Sequence, residues 1–137
     1  MYYADLTQCR DLETFAQFAG RTLLAVGWLE PGHVFPQGTP DVALAATLAK
    51  YAPAYGVGFF SGSHHCGFCV SARNGAFRGA PEGWRNLFFQ VPGQDAIIVV
   101  PELIAHYIEA HGYQPPELFR DAVAWRPPLE LGALPPH

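Results

Sequence analysis

The chain has 137 residues, 50% of them hydrophobic and 15% charged, which suits one domain with a real core and excludes a disordered composition. A net charge of -4, with 8 Lys and Arg scattered against 12 Asp and Glu, leaves no basic stripe for a nucleic-acid backbone. No apolar run approaches a membrane span, and Met1 to Asp5 shows neither the basic nor the apolar region of a signal peptide, so a cytoplasmic protein away from the membrane is expected.

The elements follow in chain order. Tyr2 to Leu6 reads as a short strand. Leu12, Phe15, Ala16, Phe18 and Ala19 have helical spacing, and Gly20 stops it. Thr22 to Leu29 reads as a strand that ends at the turn Glu30-Pro31-Gly32. A loop from His33 to Pro40 leads to a helix that Thr39 or Asp41 opens and that reaches about Tyr51. Pro40 suits its first position and Pro53 its end, and Val42, Leu44, Ala45, Leu48 and Ala49 form the apolar stripe. Gly56 to Phe60 is a strand candidate, and Val70 to Gly83 an irregular stretch or weak hairpin. Leu87 to Val91 and Ala96 to Val100 flank Pro92-Gly93-Gln94-Asp95 and make the clearest hairpin. Pro101 opens a helix with Gly112 as its C-terminal cap. A last helix runs from Glu117 to about Trp125. The reading is α+β: a small, mainly antiparallel sheet with three to four helices, a domain over 1–125 and a Pro-rich tail over 126–137 lying extended on the surface or disordered.

The chemistry concentrates in two places. His64-His65-Cys66-Gly67-Phe68-Cys69 contains a C-x2-C, and the helix after Pro101 carries His106 and His111. Two thiolates and two imidazoles make a closed tetrahedral zinc set, so Cys66, Cys69, His106 and His111 are the expected ligands of Zn2+. Since 36 residues separate Cys69 from His106, the metal would tie a knuckle to a distant helix rather than build a mini-domain. Gly67 is expected to let the knuckle turn tightly. Five residues on a regular helix rotate by roughly 140°, poor for one face, but the turn before Gly112 is where a helix loosens. His64 or His65 stands as a replacement for a helix histidine.

Other readings compete. A C-x2-C is also a redox pair, although such a pair normally opens a helix and no good helix is evident after Cys69. The thiols and histidines are alternatively plain core and surface residues. An open zinc site of two Cys and one His, with Glu102 or Glu109 as general base, would make a hydrolase. No H-E-x-x-H, G-x-S-x-G, P-loop or G-x-G-x-x-G motif is present. Three cysteines, two of them in C-x2-C, fit a reducing compartment, with Cys9 a bland apolar thiol. A structural site leaves function to a surface, and another protein is the expected partner. The aromatics Trp28, Phe35, Trp84, Tyr107, Tyr113 and Trp125 are its candidates.

Gly62 to Cys69, Pro101 to Tyr113 and Pro115 to Phe119 resemble a group of small uncharacterised bacterial proteins. Those pair a G-x-H-x-C-x-x-C-like knuckle with a helix of the type E-L-I-x-H-Y-I-x-x-H-G-Y-x-P-P-E, and Ala25 to His33 is similar to their N-terminal part. The chain departs from the pattern at Ser63, where an aromatic stands in the group. The resemblance implies coupling of knuckle and helix in a bacterial cytosol, and no reaction.

Overall fold

The computed structural model describes residues 2–58 and 64–131. Its centre is a four-stranded sheet of β1 (Thr7–Gln8), β2 (Thr22–Ala25), β6 (Ala96–Pro101) and β5 (Asn86–Gln90), in the order β1-β2-β6-β5. The hairpin β5–β6 forms as expected, with Phe88 opposite Val99. β1 and β2 are also antiparallel. The sheet is therefore mostly antiparallel, but its middle pair is not: β2 runs parallel to β6, Thr22 opposite Ala96 and Ala25 opposite Val99.

Ile97, Ile98, Val99 and Val100 are all fully buried. A strand covered on both faces needs no polar alternation, which is why this run reads as continuously apolar. On one face, Leu87, Phe89, Ile98 and Val100 meet helices α1 (Val42–Tyr55), α3 (Ile104–His111) and α4 (Glu117–Trp125) through Leu48, Ile104, Ile108 and Phe119. On the other, Phe88, Ile97 and Val99 pack with Leu12, Phe18 and Trp28, joined by Leu129 and Leu131. Each layer buries one stripe per element, the usual α+β arrangement.

Several boundaries differ from the sequence reading. The first strand is Thr7–Gln8 rather than Tyr2 to Leu6, because Leu6 takes φ 68 and turns the chain. Leu12 to Ala19 is not one helix but two 3-10 turns, Leu12–Thr14 and Ala16–Phe18, broken by extended Phe15. The break lets both Leu12 and Phe18 face the sheet. β2 stops at Ala25 rather than Leu29, since Gly27 adopts φ +80 where any Cβ would strike Ile104 Cδ1 at 2.7 Å. Trp28 beyond it is anchored by its indole N–H on Val99 O at 3.0 Å.

Of the two expected openings of α1, Asp41 is the one that caps it, accepting from Leu44 N at 3.0 Å, and Pro40 lies ahead of the helix rather than at its first position. Pro53 lies within the helix, which runs on to Tyr55. Val57 bridges Asn86, while Phe59 and Phe60 of the expected strand lie outside the described residues. The stretch from Val70 to Gly83 is more regular than expected. Helix α2 (Gly67–Ala72) starts inside the knuckle, and β3 (His64–His65) pairs with β4 (Glu82–Gly83) around it. Pro101 ends β6, and α3 starts at Ile104.

Candidate metal centre

Two short elements present the thiols. Cys66 sits at the N-cap of α2 and is fully buried, and Cys69 follows one turn later on the same face. The Cys66 N–H donates to Pro81 O at 2.8 Å, so the β3–β4 ladder fixes where the helix begins. Gly67 has another job than the tight turn expected of it. A Cβ there would sit 2.7 Å from Pro31 Cδ, so the missing side chain lets the Leu29 to Pro31 segment pack against the knuckle.

The imidazoles come from α3. Tyr107 and Ile108 point into the core and leave His106 on the knuckle side. His111 is the last helical residue, and Gly112 behind it takes φ 65. The N–H groups of both Gly112 and Tyr113 donate to Tyr107 O, a left-handed cap that swings the final turn. This is how residues five apart reach one point. Cys69 Sγ lies 3.3 Å from His106 Nε2 and 3.6 Å from His111 Nε2, and Cys66 Sγ lies 3.4 Å from His111 Nε2. All four donor atoms fall within 4.8 Å of one another. Tetrahedral bonds to sulfur at about 2.3 Å and to nitrogen at about 2.0–2.1 Å put the S···N edge at about 3.6 Å. The cluster has the dimensions of a metal cage.

The protonation states suit the same use. Burial pulls His106 down, helped by the neighbouring His111 and Arg73 and opposed by Glu109, and burial likewise lowers His111. Both rings are therefore neutral near pH 7, with a lone pair to give. Burial pushes the Cys66 thiol up and Cys69 adds to it, while the Cys69 and Phe68 N–H groups oppose. A bound cation reverses that balance and holds the thiolate. Phe68 packs on the His111 ring at 5.1 Å, and Gln37 Nε2 donates to His111 O at 3.2 Å, so the cluster is braced from two sides.

His64 and His65 do not join the cluster. His65 Nε2 faces Glu82 Oε2 at 3.4 Å, and His64 Nε2 is buried without a hydrogen-bond partner among the described residues. Glu102 is committed elsewhere: its Oε1 accepts from the N–H groups of Trp84 at 2.7 Å and Arg85 at 3.0 Å. The helix thought missing at the Cys pair exists, since α2 contains Cys69, so a redox pair has its usual local setting. The sulfurs nonetheless lie against imidazoles. Of the six aromatics expected on a surface, Trp28, Tyr107 and Tyr113 are buried, Phe35 packs against the core, and Trp84 and Trp125 are half exposed.

One feature escaped the sequence. A cleft of about 260 Å³ lies between the Trp28 to Pro31 segment, the β3–β4 ladder and the start of α3. Its wall draws on segments far apart in the chain, so no local motif announces it. The family model described as Domain of unknown function (DUF7919) matches residues 1–124. No curated protein and no solved structure matches the chain.

Proposed function

Since the chain belongs to that family, whose description states no activity, we propose from the site itself a zinc-binding protein whose metal is structural and whose surface binds another protein. The observation that carries the metal reading is the spacing of the four donors, 3.3–3.6 Å across three sulfur–nitrogen edges. Two Cys and two His favour zinc among divalent ions, because borderline-soft sulfur and imidazole suit a tetrahedral d¹⁰ cation. With Cys66, Cys69, His106 and His111 all ligating, no position is left for a reactive water. The ion supplies a crosslink between α2 and α3. Thiolate ligands persist where the surroundings are reducing, which supports a cytoplasmic setting. Phe77 is largely exposed and Trp84 half exposed beside the β3–β4 ladder, with the His65 ring 5.1 Å from Phe77, and this apolar rim supports a protein partner.

Elemental analysis of gently purified protein tests the metal: about one zinc per chain is expected. Folded, metal-free protein with both thiols reduced would overturn the reading. Metal-free protein with a Cys66–Cys69 disulfide would move it to thiol redox chemistry. Zinc held by three protein ligands and a water would move it to hydrolysis. Crosslinking from Trp84-proximal positions in cells tests the partner; recovery of the uncrosslinked chain alone would count against it.

A further inference from the structure

The four donors are held very unequally by the elements that carry them. His106 and His111 ride on α3, which buries Ile104, Tyr107 and Ile108 in the core. Cys66 and Cys69 ride on α2, a helix of six residues with none buried, led in by a strand of two residues. So α3 stands on its own packing. By contrast α2 leans on Cys66 at its cap, on the partly buried Phe68, and on whatever ties the sulfurs to the imidazoles. The two thiols differ as well. Cys66 is fully buried, and the N–H groups of Phe68 and Cys69 point at its sulfur. Cys69 is partly exposed, with its Sγ against the two imidazoles at 3.3 and 3.6 Å. Oxidation of a thiolate follows its exposure, so an oxidant from solvent meets Cys69 first.

We propose that Cys69 is an oxidation site, and that an oxidant of the peroxide class converts the Cys66–Cys69 pair to a disulfide and expels the zinc. This rests on the zinc reading above and adds its regulation. The Cys69 thiolate attacks a peroxide oxygen; the O–O bond breaks, a sulfenic acid forms and hydroxide leaves. The Cys66 thiolate then attacks the Cys69 sulfur, the S–S bond forms and a second hydroxide leaves. Two thiolates have lost two electrons and the peroxide has gained them. With two protons from solvent, the products are a disulfide, two waters and free Zn2+. The second step is within reach. Cys66 stands at the N-cap with extended backbone, φ -63 and ψ 112, and its sulfur belongs to a set of donors within 4.8 Å of one another. A C-x-x-C at a helix start is the usual setting for such a closure. Cys9 is no substitute, since it lies in the core on the other face of the sheet. The consequence is set by connectivity. Zinc joins α2 to α3, whereas the disulfide joins α2 only to its own cap. The exchange removes the link between two elements and puts nothing in its place. Phe68 is then free to leave the rings of His111, 5.1 Å away, and Tyr107, 6.1 Å away.

The test starts from the reduced full chain, loaded with zinc and with zinc and thiols counted. Hydrogen peroxide is added in slight molar excess beside a zinc-sensitive dye, and the peptides are mapped by mass. About one zinc is expected to leave for every two thiols lost, with a Cys66–Cys69 crosslink. Dithiothreitol and fresh zinc are expected to restore the starting state. Dimedone present during oxidation is expected to label Cys69 rather than Cys66, and Cys9→Ser to leave zinc release unchanged. Amide hydrogen exchange over residues 68–72 is expected to quicken while that of Ile104 to Ile108 holds. A reduced chain that takes up no zinc overturns the zinc reading and this proposal together. A zinc-loaded chain that keeps its ion with both thiols intact overturns this proposal alone. So does zinc loss without the Cys66–Cys69 crosslink, a crosslink to Cys9, dimedone on Cys66, or unchanged exchange over residues 68–72.

Discussion

Single residues decide whether the cluster closes. Gly112 is the sharpest case. It holds φ +65, and an added Cβ would lie 2.6 Å from the backbone oxygen of Gly38. Gly112→Ala therefore meets left-handed strain of about 1–2 kcal/mol and a backbone clash together. A fall in melting temperature is expected along with weaker zinc retention, because His111 rides on that turn. Unchanged metal affinity in a chelator competition would show that the cap does not place His111. The three cysteines should also separate. Cys66→Ser removes a ligand and costs the most. Cys9 is buried in the second core, its thiol pushed up to about 11 by burial with Glu13 and Asp11 adding to it. Its Sγ lies 3.9 Å from Thr7 O, too far for the shorter serine side chain to keep as a hydrogen bond, so Cys9→Ser should cost about 1–3 kcal/mol and leave metal retention unchanged. Thermal melts of the two variants check the order. Tyr113 is a third point of leverage. Its hydroxyl donates to both oxygens of Asp5 at 2.8 Å while Asp5 accepts from Gly27 N. Tyr113→Phe strands part of that carboxylate, at about 1–3 kcal/mol in a denaturant titration.

Elements succeed or fail by their ends. Asp41 starts α1 and also receives Arg120 Nη1 of α4 at 2.7 Å, so one carboxylate joins two helices. Its backbone hydrogen bond from Leu44, then the bond from Arg120, hold its pKa below the usual carboxylate value. The sign follows: a group whose pKa is lowered by folding stabilises fully above its unfolded value and ceases to do so as pH falls through its folded one. Asp41→Ala should cost about 1 kcal/mol at neutral pH, and the gap to the native chain should close in acid. A gap that persists in acid would mean the loss is packing rather than charge. The same end-effects explain what the sequence disclosed. The β5–β6 hairpin was legible because Pro92 and Gly93 mark its turn between two apolar runs, and α4 because Pro115-Pro116-Glu117 marks its start. The parallel pairing of β2 with β6 was not, since no local signal says which distant strand comes alongside. Nor was α2: six residues rich in Gly, Ala and Ser carry little helical pattern and rely on the ladder before them. Cys66, Cys69, His106 and His111 were identifiable by chemistry alone. The cleft was not, because Trp28, His64, Arg85 and Tyr107 share no spacing.

At the scale of the molecule, a metal in the proposed site would brace a fold with cores of its own. Large side chains fill both faces of the sheet, among them Phe88, Phe119, Ile97 and Ile98, and of the cluster Cys66 joins that core and Cys69 packs against it. Chelation is therefore expected to leave the far-ultraviolet spectrum largely intact while lowering the melting temperature. A ligand held at a thousand times its dissociation constant stabilises by about 4 kcal/mol, and that is the order of the loss expected. Complete unfolding on chelation, as in small zinc fingers, would show that the cores cannot stand alone.

The parallel pairing at the heart of the sheet also sets the order of assembly. Thr22 meets Ala96, so the middle of the sheet cannot close until most of the chain has left the ribosome. The cluster obeys the same clock, because its thiols are made long before His106 and His111. A nascent chain carries the Cys pair as an unfinished half-site, and the strand and helix that complete the sheet and the cage emerge together. Contacts this distant slow the search, placing refolding toward the millisecond-to-second end of the range for small domains. Zinc added to the unfolded chain then has a kinetic role to play: holding α2 against α3 shortens the loop that β6 must close, and faster refolding with zinc present, read by stopped-flow fluorescence, is the expected sign.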